Sequence, residues 1–446
     1  MTRHVRRTGP APTTDAPVRQ ESLRAHNLAL VFRQIVAADG RPISRIELAH
    51  ETGLTRPTIS RIVDELLAGR LVTEAGPAPY GGAGRPRVGL VLCRQGPAGL
   101  GLDIRADCLA ACVVDLTGTV RHLAFVPNPG LDRPADDVLA DLAAMAWSAI
   151  RAATIENLTV VGATLAVPGA VQANTLVRFA PPLGWRDVDV GALLGHGIGA
   201  RATTRTARAP AVTALPAAAL PVTVENEANL AALGELYAGG EELTDFAYVS
   251  GALGLGAGIV LDGRLLRGSR GWGGELGHVT VFPDGARCPC GARGCLQAYA
   301  GMEAILATAA EPSGGSPVAD ALALADAGSP ETLAALDRAG TALGIALAGL
   351  VNLVDVGTIL LGGGYSVLAS WLTDRIRTEL SQRALSTRWA PVEVRPALLG
   401  PDAAVIGGAL TSIDRVRHNP SSWLLRRSGV DGREAGSPLR TGIVAG

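Results

Sequence analysis

Two stretches of the chain, "GLGLDIRADCLAACVVDLTGTVRHLAF" (residues 99–125) and "FAYVSGALGLGAGIVLDGRLL" (residues 246–266), follow one scheme. In the first, apolar runs are broken by turn signals near Ala106 and at Thr117-Gly118, which reads as three strands. In the second, Asp262-Gly263 is a hairpin turn pair between two such runs. The two openings lie about 145 residues apart. They predict two related α/β lobes, each a sheet flanked by helices, spanning 97–222 and 223–415.

A chain of 446 residues suffices for two or three domains with proper cores. No uncharged apolar run approaches the ~20 residues that span a bilayer. The N-terminal arginines are followed by no apolar stretch, so no secretory signal is read. A cytoplasmic protein with reduced thiols and no membrane partner is the expectation. Residues 1–92 hold thirteen Arg and eight Asp or Glu, about +5, which leaves about −6 for the remainder of a chain at −1. All basic residues are arginine, a bias that GC-rich coding explains.

Residues 1–20 are rich in Pro, Thr and Arg without periodicity and read as a disordered arm. Residues 21–93 carry three amphipathic segments and an alternating stretch. Within "SRIELAHETGLTRPTISRIVDELLAGRLV", Ser44 and Glu47 have capping-box spacing and Gly53 suits a tight turn. A second helix from Arg56 places Ile59, Ile62, Val63, Leu66 and Leu67 on one face. Helix, turn, helix and the hairpin "RLVTEAGPAPYGGAGRPRVGLVL" make a winged helix-turn-helix. Ser44, Thr55, Arg56, Thr58, Ser60 and Arg61 are the candidate DNA-contacting residues, with Arg85 at the wing tip placed for a minor groove. A small domain that docks another protein is the competing reading. Residues 200–221 read as a loop or insertion, and 416–446 as a flexible tail.

"GHVTVFPDGARCPCGARGC" (277–295) gathers four soft or borderline ligands in a chain with six cysteines. His278, Cys288, Cys290 and Cys295 form a His-x9-Cys-x-Cys-x4-Cys set, the shell of a closed structural Zn2+ site with no position open for catalysis. Reactive thiols or unrelated core cysteines are the competing readings. Cys93, Cys108 and Cys112 lack such spacing and read as buried apolar residues.

Together "TGLTRPTISRIVDELL", "GRP", "AVPGAV", "PPLGW", "VENEANLAALGE", "GLGAGIVLDGRLLRG", "GELGH", "CPCGARGCLQAYAG" and "LLGGG" resemble the ROK family of sugar-responsive repressors and sugar kinases. The resemblance runs over residues 23–415 and points to the xylose-repressor-like branch. It implies a two-lobed actin/hexokinase-like fold with a zinc-binding loop behind the winged helix. It also implies a sugar cleft built from Asn226, Glu227, Glu275, His278 and Gln297, with His278 shared between metal and sugar. Taken singly, Asn226 and Glu227 sit where helix capping alone explains them. Gln297 stands where relatives carry Glu, and Pro182 where they carry Asn. Losing a polar partner to a ligand hydroxyl costs ~1–3 kcal/mol.

The family's kinases carry Asp-x-Gly-Gly-Thr where this chain has "DIRAD" (103–107), Thr where it has Leu253, and a catalytic Asp where it has Glu227. Without the glycine cradle, phosphoryl transfer lacks its phosphate site. The expectation is a regulator with no catalytic residues: a repressor acting as a homodimer or homotetramer on a near-palindromic double-stranded operator, its binding modulated by a sugar or sugar derivative. The alternatives are an ATP-dependent sugar kinase with a DNA-binding appendage, and a constitutive DNA-binding regulator whose sugar site has decayed.

Overall fold

The computed structural model describes residues 20–77, 88–131, 133–203, 220–240, 243–251, 253–307 and 316–428. The chain divides into two compact units, residues 1–92 with 416–446, and residues 93–415.

In the first unit, α1 (Gln20–Ala37) buries Leu28, Val31, Phe32 and Ile35. After the short β1 (Ile43–Ser44), α2 (Arg45–Thr52) opens with a complete capping box. The Glu47 amide donates to Ser44 Oγ at 3.3 Å and the Ser44 amide to the Glu47 carboxylate at 2.8 Å. The helix closes at Gly53, whose φ of 70° is the left-handed cap that a residue with Cβ resists. From the N-cap Thr55, α3 (Arg56–Ala68) buries Ile59, Ile62, Val63 and Leu66, as its periodicity predicts, with Leu67 half-buried. Strands β2 (Val72–Pro77) and β3 (Val88–Leu92) pair antiparallel, and β1 adds to the far side of β3. The expected wing tip, Arg85 included, and the expected arm over residues 1–19 lie outside the described residues.

The second unit shows the duplication. Its first sheet is built from β4 (Gly96–Ile104), β5 (Cys108–Asp115) and β6 (Val120–Pro127), each antiparallel to the next. The helix α4 (Ala135–Ile155) leads to β7 (Leu158–Val167), parallel to β4. A small sheet follows, with β8 (Ala170–Gln172), β9 (Leu176–Ala180) and β10 (Trp185–Asp189), and then α5 (Val190–Thr203). Residues 204–219 of the expected insertion are not described. Strand β11 (Val222–Asn226) closes the sheet parallel to β7.

After α6 (Glu227–Ala238) the scheme repeats. Strands β12 (Phe246–Gly251), β13 (Leu255–Leu261) and β14 (Arg264–Leu265) run antiparallel in series. The turn between β13 and β14 has positive φ at both Asp262 and Gly263, as the sequence predicts. Helices α7 (Gln297–Ala300), α8 (Met302–Leu306), α9 (Pro317–Asp326) and α10 (Pro330–Val354) precede β15 (Thr358–Gly363), parallel to β12. Then α11 (Gly364–Val367), α12 (Ala369–Arg383) and β16 (Glu393–Pro396), parallel to β15, complete it. The strand orders β11-β7-β4-β5-β6 and β14-β13-β12-β15-β16 are thus the same five-strand pattern used twice.

Helices α4 and α10 are long and apolar enough to cross a membrane, yet both bury one face. Leu142 and Ala146 of α4 enter the core of the first sheet, and Leu343 and Leu347 of α10 that of the second.

The expected boundaries move in two places. Residues 222–226 belong to the first sheet, so the first lobe ends at Asn226 rather than 222. Helix α13 (Ala403–His418) then returns to that sheet, where Val405, Ala409 and Leu410 pack on Ala110, Cys112 and Val114. Gly99 and Gly101 permit this, because a Cβ on either would strike the α13 backbone. The expected tail is helical from 416 to His418 and again over Pro420–Ser428, and its residues 429–446 lie outside the described residues. After α13, α14 (Pro420–Ser428) packs against α1, and Trp423, 4% exposed, donates its indole N–H to the Gly69 carbonyl at 2.8 Å. With only nine residues and partners nearly 400 positions away, α14 has too little periodicity of its own to be read.

Candidate functional site

The four proposed metal ligands converge. Their ligand atoms all lie within 4.8 Å of one another. His278 Nδ1 is 3.8 Å from Cys288 Sγ, and the Cys290 and Cys295 sulfurs are 3.8 Å apart. Thiolates about 2.3 Å from a tetrahedral centre lie about 3.8 Å apart, so the donor set and its spacing fit a zinc-type ion. His278 ends a short 3-10 turn, Leu276–His278. The Cys288 amide donates to the Ala292 carbonyl, and a Cβ at Gly294 would collide with the Phe282 carbonyl, so the loop folds this tightly only with glycine there. The Ala292 amide holds the Cys290 thiol below its ordinary range, favouring a thiolate. Among the other cysteines, Cys112 is buried and its thiol is pushed up to about 12, so it is inert. Cys93 and Cys108 are only half-buried, less than expected.

Of the sugar candidates, Asn226 and Gln297 are committed to backbone groups. Asn226 caps α6: Oδ1 accepts from the Ala228 and Asn229 amides at 2.9 and 3.3 Å, and Nδ2 donates to the Gly169 carbonyl at 3.1 Å. The capping explanation therefore accounts for both of its carbonyl lone pairs. Gln297 is likewise committed through Oε1, which accepts from the Leu255 amide at 2.7 Å and ties α7 to the start of β13. Glu275 keeps contact with solvent, yet the protein around it raises its carboxyl above the usual range, with His278 pulling the other way. Glu227, 9% exposed, makes no hydrogen bond among the described residues. Burial, with Asp103 adding, pushes its carboxyl up to about 8, and Arg105 offsets only part of this. Burial thus favours the neutral form of Glu227, which can donate as well as accept a hydrogen bond.

Glu227 faces a cavity of about 340 Å³ at the end of β4. Arg105 reaches across it, 2.8 Å from Asp103 and 2.9 Å from Asp402 just ahead of α13. Burial pushes the Asp103 carboxyl up and works against the Arg105 charge, which the two carboxylates more than restore. The guanidinium of this pocket is thus already spent on two carboxylates. Sequence reasoning saw the loss of the glycines but not this trio, because Arg105 and Asp402 are 297 positions apart. It missed Arg267 too, whose Nε lies 3.0 Å from the buried Glu225 carboxylate.

In the N-terminal unit, Thr55, Arg56, Ser60 and Arg61 are exposed on or beside α3, and Thr58 is half-buried. Thr55 and Thr58 share a 2.9 Å hydroxyl contact. Ser44 does not join them: at 2% exposure its side chain is spent on the α2 cap. Arg45 meets Asp64 and Glu74, which lowers the negative potential beside that face.

Three comparisons bear on this arrangement. The xylose repressor of Bacillus subtilis (strain 168) is 29% identical over 401 residues, covering 89% of this chain and 97% of its own. The crystal structure of a ROK family transcriptional regulator, a homolog of the E. coli MLC protein, superposes with a TM-score of 0.70 at 27% identity, covering 92% of this chain and all of that one. A ROK family glucokinase from Streptomyces griseus, in complex with glucose and AMPPNP, superposes with a TM-score of 0.57 at 27% identity, over 70% of this chain and 98% of its own. A family model matches residues 99–415, most of the chain and both duplicated sheets, and the chain belongs to the ROK family.

Proposed function

We propose that this chain is a sugar-responsive, DNA-binding transcriptional repressor of carbohydrate-metabolism genes, acting in the cytoplasm, whose kinase-like unit senses and does not phosphorylate. The observation that carries the reading is two helices about a left-handed Gly53 and an antiparallel β2–β3 pair, which support a winged helix-turn-helix, with Arg56, Ser60 and Arg61 exposed beside a buried apolar face. The similarity to a xylose repressor spans 89% of the chain and so extends beyond the 99–415 family match.

In this reading Thr55, Arg56, Thr58, Ser60 and Arg61 contact the operator, with Arg85 in the minor groove. Glu227, Glu275 and the free ring nitrogen of His278 face the sugar, while Asn226 and Gln297 position the turns around it. His278, Cys288, Cys290 and Cys295 would hold a structural zinc, which ties the Glu275–His278 turn to the cysteine loop. A homodimer or homotetramer places two recognition helices on half-sites roughly 34 Å or a multiple apart.

The test is a fluorescence-anisotropy titration of the protein onto DNA upstream of its own gene, with xylose, other pentoses, hexoses and amino sugars added in turn. Specific binding weakened by one sugar supports the repressor; binding indifferent to every sugar supports the decayed-site alternative. A second reading, an ATP-dependent sugar kinase, is favoured by the likeness to the S. griseus glucokinase. Sugar-dependent ADP release in a coupled assay would establish it, and the expectation is none, because Arg105 and Ala106 stand where the phosphate turn needs glycines and the Arg105 guanidinium is paired with Asp103 and Asp402.

A further inference from the structure

The cavity beside Glu227 carries more than a lost phosphate site. Its walls are largely apolar, with Ile104, Leu253, Val318, Leu322 and Val367, and its volume of about 340 Å³ accepts one ring of monosaccharide size. Its charged lining is unbalanced. Among the described lining residues, Asp103, Asp107 and Glu227 supply three carboxyl groups, and Arg105 the one guanidinium, already bonded to Asp103 and, outside the lining, to Asp402. Among these residues a phosphate entering here meets carboxyls and no unpaired cation. The Tyr248 hydroxyl accepts the Gly363 amide at 3.0 Å and, from β12, adds only a neutral group. Against this background Glu227 is nine-tenths buried, lines the cavity and has no hydrogen-bond partner among the described residues. A ligand donor placed here would pair a carboxyl that the surrounding side chains leave without one.

We propose that this cavity is a recognition site for a small organic cation, its ammonium group seated between Glu227 and Asp103 and its apolar body against Leu253, Val318 and Leu322. The inference rests on the sensor reading of the cleft and deepens it: the effector end that meets Glu227 carries an amine and not a phosphate. Binding makes no covalent bond. The ammonium brings its charge, and Glu227, protonated in the empty cavity, gives up its proton to solvent as the ion pair forms.

The probes are a matched trio: cyclohexylmethylamine, cyclohexylmethanol and cyclohexylmethyl phosphate, titrated calorimetrically into the full-length protein at pH 7 in phosphate and in Tris. The amine is expected to bind at least tenfold more tightly than the alcohol, with release of close to one proton seen as a buffer-dependent heat. The phosphate should give no heat of binding. Glu227→Gln should abolish the proton release and most of the preference, while Asp326→Asn, at an exposed position on α9 outside the cavity lining, tests general charge attraction and should change little. Equal binding of amine and alcohol, binding of the phosphate, or no binding of any probe would each overturn the proposal. The operator titration is a separate readout. Failure here with sugar-relieved DNA binding intact would remove the amine site alone, and loss of operator binding would remove the repressor reading alone.

Discussion

Glu227 illustrates how one side chain carries a fold's history and its present chemistry. Its backbone position opens α6 as the sequence pattern requires, yet its carboxyl lies in a site that raises it from 4.5 to about 8. A carboxyl whose folded value lies above its unfolded one binds its proton more tightly in the folded chain. Its stabilising share is complete below about pH 4.5 and is lost as pH rises through about 8. Glu227→Gln should therefore melt at a higher temperature than the parent at pH 8 and show little difference at pH 5. The pH-dependent part is on the order of a few kcal/mol. Parallel melting-temperature profiles of the two proteins across that window would sink the assignment. At the His/Cys cluster, Cys295→Ser removes a fully buried proposed ligand. Bound zinc should fall from about one per chain to near none by metal analysis.

At the scale of elements, α3 and α14 share responsibility for the N-terminal unit. The exposed side of α3 belongs to DNA in the proposed reading, and Arg56→Ala or Arg61→Ala should weaken operator binding by about 1–3 kcal/mol. If the lost contact is to phosphate, the salt dependence should shallow by about one ion equivalent; if to a base, discrimination at one position should relax. An unchanged affinity in both variants would remove α3 as the reading helix. The other end of α3 is held differently. Trp423 of α14 bonds the Gly69 carbonyl beyond the α3 terminus, and Gly69 has no room for a side chain because Leu424 occupies it. Trp423→Ala should cost about 3–5 kcal/mol of stability. It should also lower operator affinity although Trp423 lies on no proposed DNA-contacting face. Unfolding by denaturant, with operator binding measured in parallel, checks both.

For the whole molecule, response to a ligand requires that the ligand prefer one of two arrangements, and equal affinity for both would shift nothing. The chain crosses between its two units twice, near residue 92 and near residue 416, and the second crossing lies within the single helix α13. That helix starts directly after Asp402, the partner of Arg105 at the cavity. In the proposed reading the His/Cys loop bears on the same response, since His278 is both a proposed ligand of the metal and a proposed partner of the sugar. Chelation should therefore weaken sugar-dependent release from the operator severalfold while leaving binding without sugar nearly unchanged. Full sugar response in the metal-free protein would show the loop to be a staple with no part in sensing.

The sequence alone determined what is local or repeated. The capping box at Ser44, the turn at Gly53, the buried face of α3, the Asp262-Gly263 turn and the twice-used strand scheme all depend on neighbours within a few residues, and all are present in the structure. The metal set was legible for the same reason, its cysteines lying within eight residues and its histidine ten before. Tertiary structure decided whatever joins distant positions. It spent Asn226 and Gln297 on backbone amides, drew Arg105 between Asp103 and Asp402, and folded α14 back against α1. A side chain's type fixes which bonds it can form. Which of those bonds it does form depends on the partner the fold brings within about 3 Å, and no local pattern encodes that partner.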